Sequence, residues 1–265
     1  MIIFLYCLLA LLSIVCLFWL FLFIFLNDFS IPTIDVKKIR RILIVFPHPD
    51  DEVLTLGGFM RTVSDKKVNI THLILTKGEK GNLKGVKDNA LKKIREKETF
   101  NAAKILNTHQ LIIKDYGDGQ LENKKGEIKK ELDKIIRQTN PDLVISYDLT
   151  GLYGHPDHIA CSQITTALIK DKFPNTRLWY VSFPRKIMNL INLPEHMAKE
   201  KDYAEKRVFP THKIFVGVNV LCKIKAVRTY KSQYESFKSG IPIKFIPMEF
   251  FHSIALFEYF HEVMF

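Results

Sequence analysis

The chain has 265 residues, 47% of them hydrophobic, and a formal net charge of +11. That length accommodates one sizeable globular domain with an appendage. Its four cysteines, Cys7, Cys16, Cys161 and Cys222, lack CxxC spacing and suggest neither a disulfide framework nor a cysteine zinc cluster. Lysines are spread over helical stretches and mixed with glutamate, as in "KKGEIKKELDK" (124–134), the pattern of a solvated face rather than of a nucleic-acid surface. An anionic membrane is the simpler partner for that charge.

The apolar excess lies at the start. Residues Ile2 to Leu26 contain no charge, Pro or Gly, and as a helix they extend roughly 37 Å, against about 30 Å for a hydrocarbon core. A cleaved signal sequence is the competing reading. No basic segment precedes the run, it outlasts the usual ~7 to 15 residues of a signal core, and no small-x-small cleavage site follows. Residues 1–26 are therefore expected to form an uncleaved, single-pass transmembrane anchor. Lys37, Lys38, Arg40 and Arg41 follow it, which directs the rest of the chain to the cytoplasmic side. Residues 27–40 read as a basic juxtamembrane linker and 41–265 as the catalytic domain.

Beyond the linker, short apolar and β-branched runs predict strands at Arg41–Phe46, Asn69–Thr76, Gln110–Lys114, Asp142–Tyr147, Arg177–Ser182 and His212–Val220. Helical periodicity is expected over Gly57–Asp65, Ala90–Leu106, Lys125–Thr139, His158–Lys170 and Leu221–Tyr234. Alternating strands and helices, with continuous rather than alternating apolar strands, imply an α/β fold. The expected architecture is a three-layer α/β/α domain with a mostly parallel, Rossmann-like sheet. Segments 78–87 and 184–207 read as the long loops. There is no internal repeat, no GxGxxG, no GxxxxGK[ST] and no GxSxG, so neither a nucleotide phosphate loop nor an α/β serine hydrolase is supported.

Two stretches carry chemistry. "FPHPDDE" (46–52) follows the first strand, and "YGHPDH" (153–158) follows the strand "DLVISY"; both lie at carboxyl ends, where open α/β sheets bind ligands. Either stretch alone reads as a capped helix start. Together they supply a whole metal site. A catalytic zinc takes three His or carboxylate ligands and keeps a position open; His48, Asp51 and His158 answer that need. Asp50, Asp157 and His155 are then left over for the base and oxyanion roles that hydrolysis by metal-activated water requires.

These two motifs resemble the signatures of the PIG-L/LmbE-type deacetylases, zinc hydrolases that remove N-acetyl groups from glucosamine-containing substrates. The resemblance extends through "LTKGEKG" (75–81), "REKETFNAAKILN" (95–107), "DYGDGQL" (115–121) and "KAVRTYKSQY" (225–234), nearly the whole chain after the anchor. It implies His48, Asp51 and His158 as metal ligands and Asp50 as general base. It further implies His155, oriented by Asp157, as the group that stabilises the oxyanion or protonates the leaving amine, and Tyr153 as a group polarising the carbonyl. Arg95 and Asp118 fall in motifs that bind the sugar. Tyr230 stands where the family commonly has His before its Ser-Gln pair.

The expected function is removal of the N-acetyl group from an N-acetylglucosamine-containing conjugate, lipid-linked or soluble. The cofactor is Zn2+, with another divalent transition metal as its substitute. A non-catalytic carbohydrate-binding protein on the same fold is the alternative, disfavoured by Asp50, which metal binding alone does not require.

Overall fold

The structure, a computed structural model, describes residues 2–81, 83, 85–189, 206–240 and 247–265. Seven strands form one sheet: β1 (Arg41–Phe46), β2 (Asn69–Ile74), β3 (Gln110–Ile113), β4 (Leu143–Ser146), β5 (Arg177–Ser182), β6 (His212–Phe215) and β7 (Phe257–Glu262), in the order β3-β2-β1-β4-β5-β7-β6. β1 to β5 pair in parallel, and β7 runs antiparallel to both β5 and β6. The chain winds outward from β1 through β2 to β3, then crosses back to β4. The switch point of the sheet therefore lies between β1 and β4.

Side chains alternate across this sheet, and each face has its own core. Ile42, Ile44, Phe46, Ile145 and Trp179 point to one side, covered by α2 (Gly57–Asp65), α3 (Asp88–Ile105) and α6 (Val220–Val227) through Phe59, Met60, Ala102 and Val227. Leu43, Val45, Val144 and Leu178 point to the other, covered by α4 (Lys125–Thr139) and α5 (Pro156–Lys172) through Leu132, Ile136, Ala160 and Leu168. Burial on both faces is why β1 and β4 read as unbroken apolar runs. The three-layer α/β/α expectation holds.

The carboxyl-terminal third differs from expectation in detail. The strand expected to reach Val220 stops at Phe215, because Gly217 adopts φ 50 and turns the chain. The helix expected over Leu221–Tyr234 ends at Val227, where the Ser232 amide and hydroxyl are taken by the buried Glu98 carboxylate at 2.9 and 2.6 Å. β7 and the helix α7 (Met248–Ile254) were not anticipated. Of the two expected loops, residues 82 and 84 and residues 190–205 lie outside the described residues.

The helix α1 (Ile2–Leu26) is long and apolar enough to cross a membrane, and its side chains are exposed except near its end, where Leu22 is buried. Residues 27–40 lie along the domain, with Val36 and Ile39 buried in its core and the Ile34 amide bonded to Lys213 O at 3.1 Å.

Candidate metal and catalytic site

β1 ends at Phe46, and the chain then turns sharply into the one-turn helix Asp51–Thr55. The turn sets Asp50 at φ 86, a conformation strained for a residue with a Cβ. Asp50 makes no side-chain cap of that helix. Its carboxylate instead accepts from the buried Arg95 guanidinium at 2.7 Å. Arg95 reaches it from α3 by passing over Gly78, whose carbonyl accepts from Nη1 at 2.7 Å; a Cβ at Gly78 would collide with the guanidinium. The glycine of "TKGEKG" thus opens a path for the arginine of "REKE".

Asp51 faces the other way. Its Oδ2 accepts from the His48 amide at 2.9 Å, and its Oδ1 accepts from the Tyr147 hydroxyl at 2.8 Å. On the far side, β4 leads into a tight turn at Gly151–Gly154 and then α5, with Pro156 at its first turn. His158 projects from that first turn, buried, its ring stacked on Tyr147 with centroids 4.3 Å apart.

Three donor groups from the two motifs converge. His48 Nδ1 lies 3.3 Å from His158 Nε2 and 3.8 Å from Asp51 Oδ2, and His158 Nε2 lies 3.4 Å from Asp51 Oδ1. A tetrahedral ion with bonds of roughly 2.1 Å spaces its ligands about 3.4 Å apart; the two ring nitrogens stand at that separation, and Asp51 meets each ring through a different carboxylate oxygen. His48 Nε2 meets carboxylates instead, Asp118 at 3.0 Å and Asp157 at 3.1 Å. A carboxylate on the second ring nitrogen is the usual way a ligating imidazole is oriented. Further His and Asp groupings also come together here, His48 with His155 and His158, and His48 with Asp118 and Asp157.

Electrostatics point to a cation. Burial acts to lower the His48 pKa, but Asp118 and Asp157 outweigh it and raise it to about 10. Against the same burial, His48 holds Asp118 and Asp157 below the ordinary carboxylate range. His158 is pushed well below its ordinary value by burial and by the neighbouring His48 and His155. Burial raises Asp51 to about 6 and Asp50 to about 7, with Arg95 pulling Asp50 the other way. Carboxylates crowded about imidazoles that face one another suit a divalent ion better than protons alone.

The remaining expected residues surround this centre. His155 is half-buried, its ring 4.8 Å from that of His48, and its Nδ1 accepts from the Asp157 amide at 3.2 Å. Asp157 therefore reaches His155 through its main chain, while its carboxylate accepts from the Gly119 and Leu121 amides at 2.7 and 3.1 Å. The Tyr153 hydroxyl lies 3.2 Å from His158 Nε2. Arg95 and Asp118, expected at the sugar, line the wall and hold Asp50 and His48. Tyr230 is fully buried and donates to Glu52 Oε1 at 2.6 Å, so it belongs to the packing behind the acids. Tyr147 went unnoticed in the sequence, although an aromatic with a polar tip at the end of the "DLVISY" strand was a visible signal.

The family described as PIG-L, GlcNAc-PI de-N-acetylase, matches residues 43–169, a span holding both motifs. A probable N-acetyl-alpha-D-glucosaminyl L-malate deacetylase 2 of Bacillus anthracis is 33% identical over 65% of this chain and 79% of its own. The diacetylchitobiose deacetylase of Thermococcus kodakarensis is 31% identical over 78% of this chain and 74% of its own. Among solved structures, N,N'-diacetylchitobiose deacetylase from Pyrococcus horikoshii superposes with a TM-score of 0.64, at 22% identity over 86% of this chain and 85% of that one, a likeness of fold. With about a third of its residues shared across most of the Bacillus anthracis protein, this chain belongs to the PIG-L family.

Proposed function

We propose that the protein is a metal-dependent amide hydrolase that removes the N-acetyl group from an N-acetylglucosamine-containing conjugate. The observation that carries this reading is the convergence of His48, Asp51 and His158, with Asp50 beside them and bonded to Arg95 rather than to the histidines. His48 through Nδ1, His158 through Nε2 and Asp51 would hold the ion, zinc by preference of the donor set. Bound there, the metal supplies Lewis acidity toward the amide carbonyl and toward a water molecule.

The chain's own groups account for the protons. Asp50, its carboxylate directed by Arg95, takes the proton from the attacking water. His155, half-buried and held through Nδ1 by the Asp157 amide, presents its other nitrogen to the oxyanion or the departing amine. Tyr153 donates toward the acetyl carbonyl. Arg95 and Asp118 are assigned to the sugar side as well as to the groups they hold. Residues 1–26 act as membrane anchor, 27–40 join it to the domain, and 41–265 catalyse, on the cytoplasmic side by the basic residues after the anchor. A lipid-linked conjugate is the finer substrate reading, because α1 meets the domain beside the carboxyl ends of β6 and β5, the same end of the sheet as the metal site.

The test is metal analysis of the purified full chain together with mass spectrometry of soluble and lipid-linked N-acetylhexosamine conjugates. Loss of one acetyl group, stopped by chelation and restored by zinc, is expected. Bound zinc with no acetyl loss from any conjugate would instead indicate a carbohydrate-binding protein.

A further inference from the structure

α1 does not leave the domain on a free tether. Asn27, fully buried, donates from Nδ2 to Ile254 O at 2.7 Å and accepts from the Leu256 amide at 2.8 Å. The Asp28 amide donates to the Tyr259 hydroxyl at 2.6 Å. Lys213, itself buried, lies 4.4 Å from the centre of the Phe257 ring and 5.2 Å from that of Phe29. An unbroken aromatic series joins helix to sheet: Trp19 to Phe23 at 5.5 Å, Phe23 to Phe29 at 6.0 Å, Phe29 to Phe257 at 5.9 Å and Phe257 to Phe215 at 5.4 Å.

Phe215 and Phe257 are the facing pair at the carboxyl end of β6. Followed through the strand registers, they lie level with the residues just after β1, Phe257 three strands away and Phe215 four. At ~4.8 Å per strand the latter separation is about 19 Å. Beyond this pair the surface stays apolar. Phe215, Val218 and Leu221 are 53%, 80% and 56% exposed and follow at three-residue intervals into α6. Four and seven residues after Leu221, on the same helical face, come the exposed Lys225 and Arg228, which line an open groove with Lys104 and Lys231.

A scattered exposed apolar residue means little. Here the residues adjoin a 25-residue apolar helix through continuous ring contacts and are backed by cations, the composition of a surface lying at a headgroup boundary. We propose that this face seats on the bilayer into which α1 inserts, with Phe215, Val218 and Leu221 at the acyl boundary and Lys225 and Arg228 among anionic headgroups. The proposal rests on α1 being a membrane span. Its consequence is an orientation: the carboxyl end of the sheet, with the metal site, is held beside the membrane surface rather than turned freely about a linker.

Tryptophan quenching by brominated lipids tests it, since the chain's two tryptophans are Trp19 in α1 and the fully buried Trp179. The full chain is reconstituted in phosphatidylcholine–phosphatidylserine vesicles with bromines near the headgroup or deep in the acyl chains. Wild-type emission should be quenched, and Trp19→Phe should remove most of that quenching. Adding Val218→Trp in the Trp19→Phe background should restore about a twofold loss of emission with shallow bromines. Lys225→Glu with Arg228→Glu should diminish that restored quenching. Quenching of the wild type without any at Val218→Trp overturns the seat and leaves the span standing. A wild type without quenching overturns the span and the seat with it. Shielding of Val218→Trp that follows protein concentration, not brominated lipid, assigns the face to a second copy and overturns the proposal.

Discussion

Asp50 and Asp51 are neighbours in sequence with opposite partners, and that contrast is the sharpest test of the site. Asp51 is tied to the His48 amide, Tyr147 and His158, whereas Asp50 is tied to Arg95. Asp51→Ala should lose zinc and activity together, with partial recovery in excess metal. Asp50→Asn should keep zinc and fold while turnover drops by roughly 10² to 10⁴, the scale of a lost general base. Zinc content, melting temperature and acetate release measured side by side decide it; loss of zinc from Asp50→Asn but not from Asp51→Ala would reverse the roles. The pH profile gives a second test. Burial pushes Asp50 up to about 7 and Arg95 pulls it down. A base works deprotonated, so kcat/KM should rise with pH through that pKa. A divalent ion held by Asp51, the next residue, would shift this limb toward lower pH. Removing the guanidinium in Arg95→Met should move the acidic limb to higher pH at the same metal occupancy. An acidic limb that does not move would separate Arg95 from the base. The histidines and aspartates of both motifs were legible because each follows an apolar strand. The Arg95–Gly78 passage was not, since it depends on how α3 folds back over the loop that leads into it.

Among the elements, β1, α2 and α4 match their expected bounds residue for residue, since β1 is an unbroken apolar run buried on both faces and each helix turns one clear apolar stripe to one layer. β7 was missed for a physical reason. Its sequence "FEYFHE" carries Glu258 on an inward position, buried at 3% exposure, so the apolar pattern is broken where the strand is most enclosed. That carboxylate pairs with Lys223 Nζ at 2.7 Å and accepts from the Gly58 and Phe59 amides at the start of α2. It joins β7, α6 and α2 through one buried anion, favourably placed at a helix amino terminus. Glu258→Gln leaves the Lys223 charge buried without a counter-ion and should lower stability by about 3 to 5 kcal/mol. Adding Lys223→Met should recover much of that loss, because the uncompensated charge is then gone. Denaturant midpoints for the single and double variants measure both. Equal stability of Glu258→Gln and wild type would show that the pair does not hold these elements together.

At the scale of the whole molecule, the division into anchor, linker and domain is the part least accessible to sequence reasoning. Composition marks where the apolar helix ends at Leu26, but it carries no sign that Asn27, the next residue, is a structural piece of the domain. A polar residue after an apolar span reads as the start of solvent. In the fold, its amide bridges the end of α7 and the approach to β7, satisfying the Ile254 carbonyl and the Leu256 amide at once. Two truncations that differ by two residues should therefore behave differently. Removal of residues 2–26 takes away the apolar helix and keeps Asn27, and should give a domain soluble without detergent that keeps its melting temperature and its acetate release from soluble conjugates. Removal of residues 2–28 also deletes Asn27 and the Asp28 amide that donates to Tyr259. It strands backbone groups at the mouth of β7 and should cost roughly 1 to 3 kcal/mol, with the loss centred on α7 and β7. Hydrogen exchange locates that loss: faster exchange confined to residues 247–262 in the longer truncation supports the account. Identical exchange in the two truncations would return Asn27 to the linker, and insolubility of both would show that residues beyond Leu26 also need a bilayer or a partner to cover them.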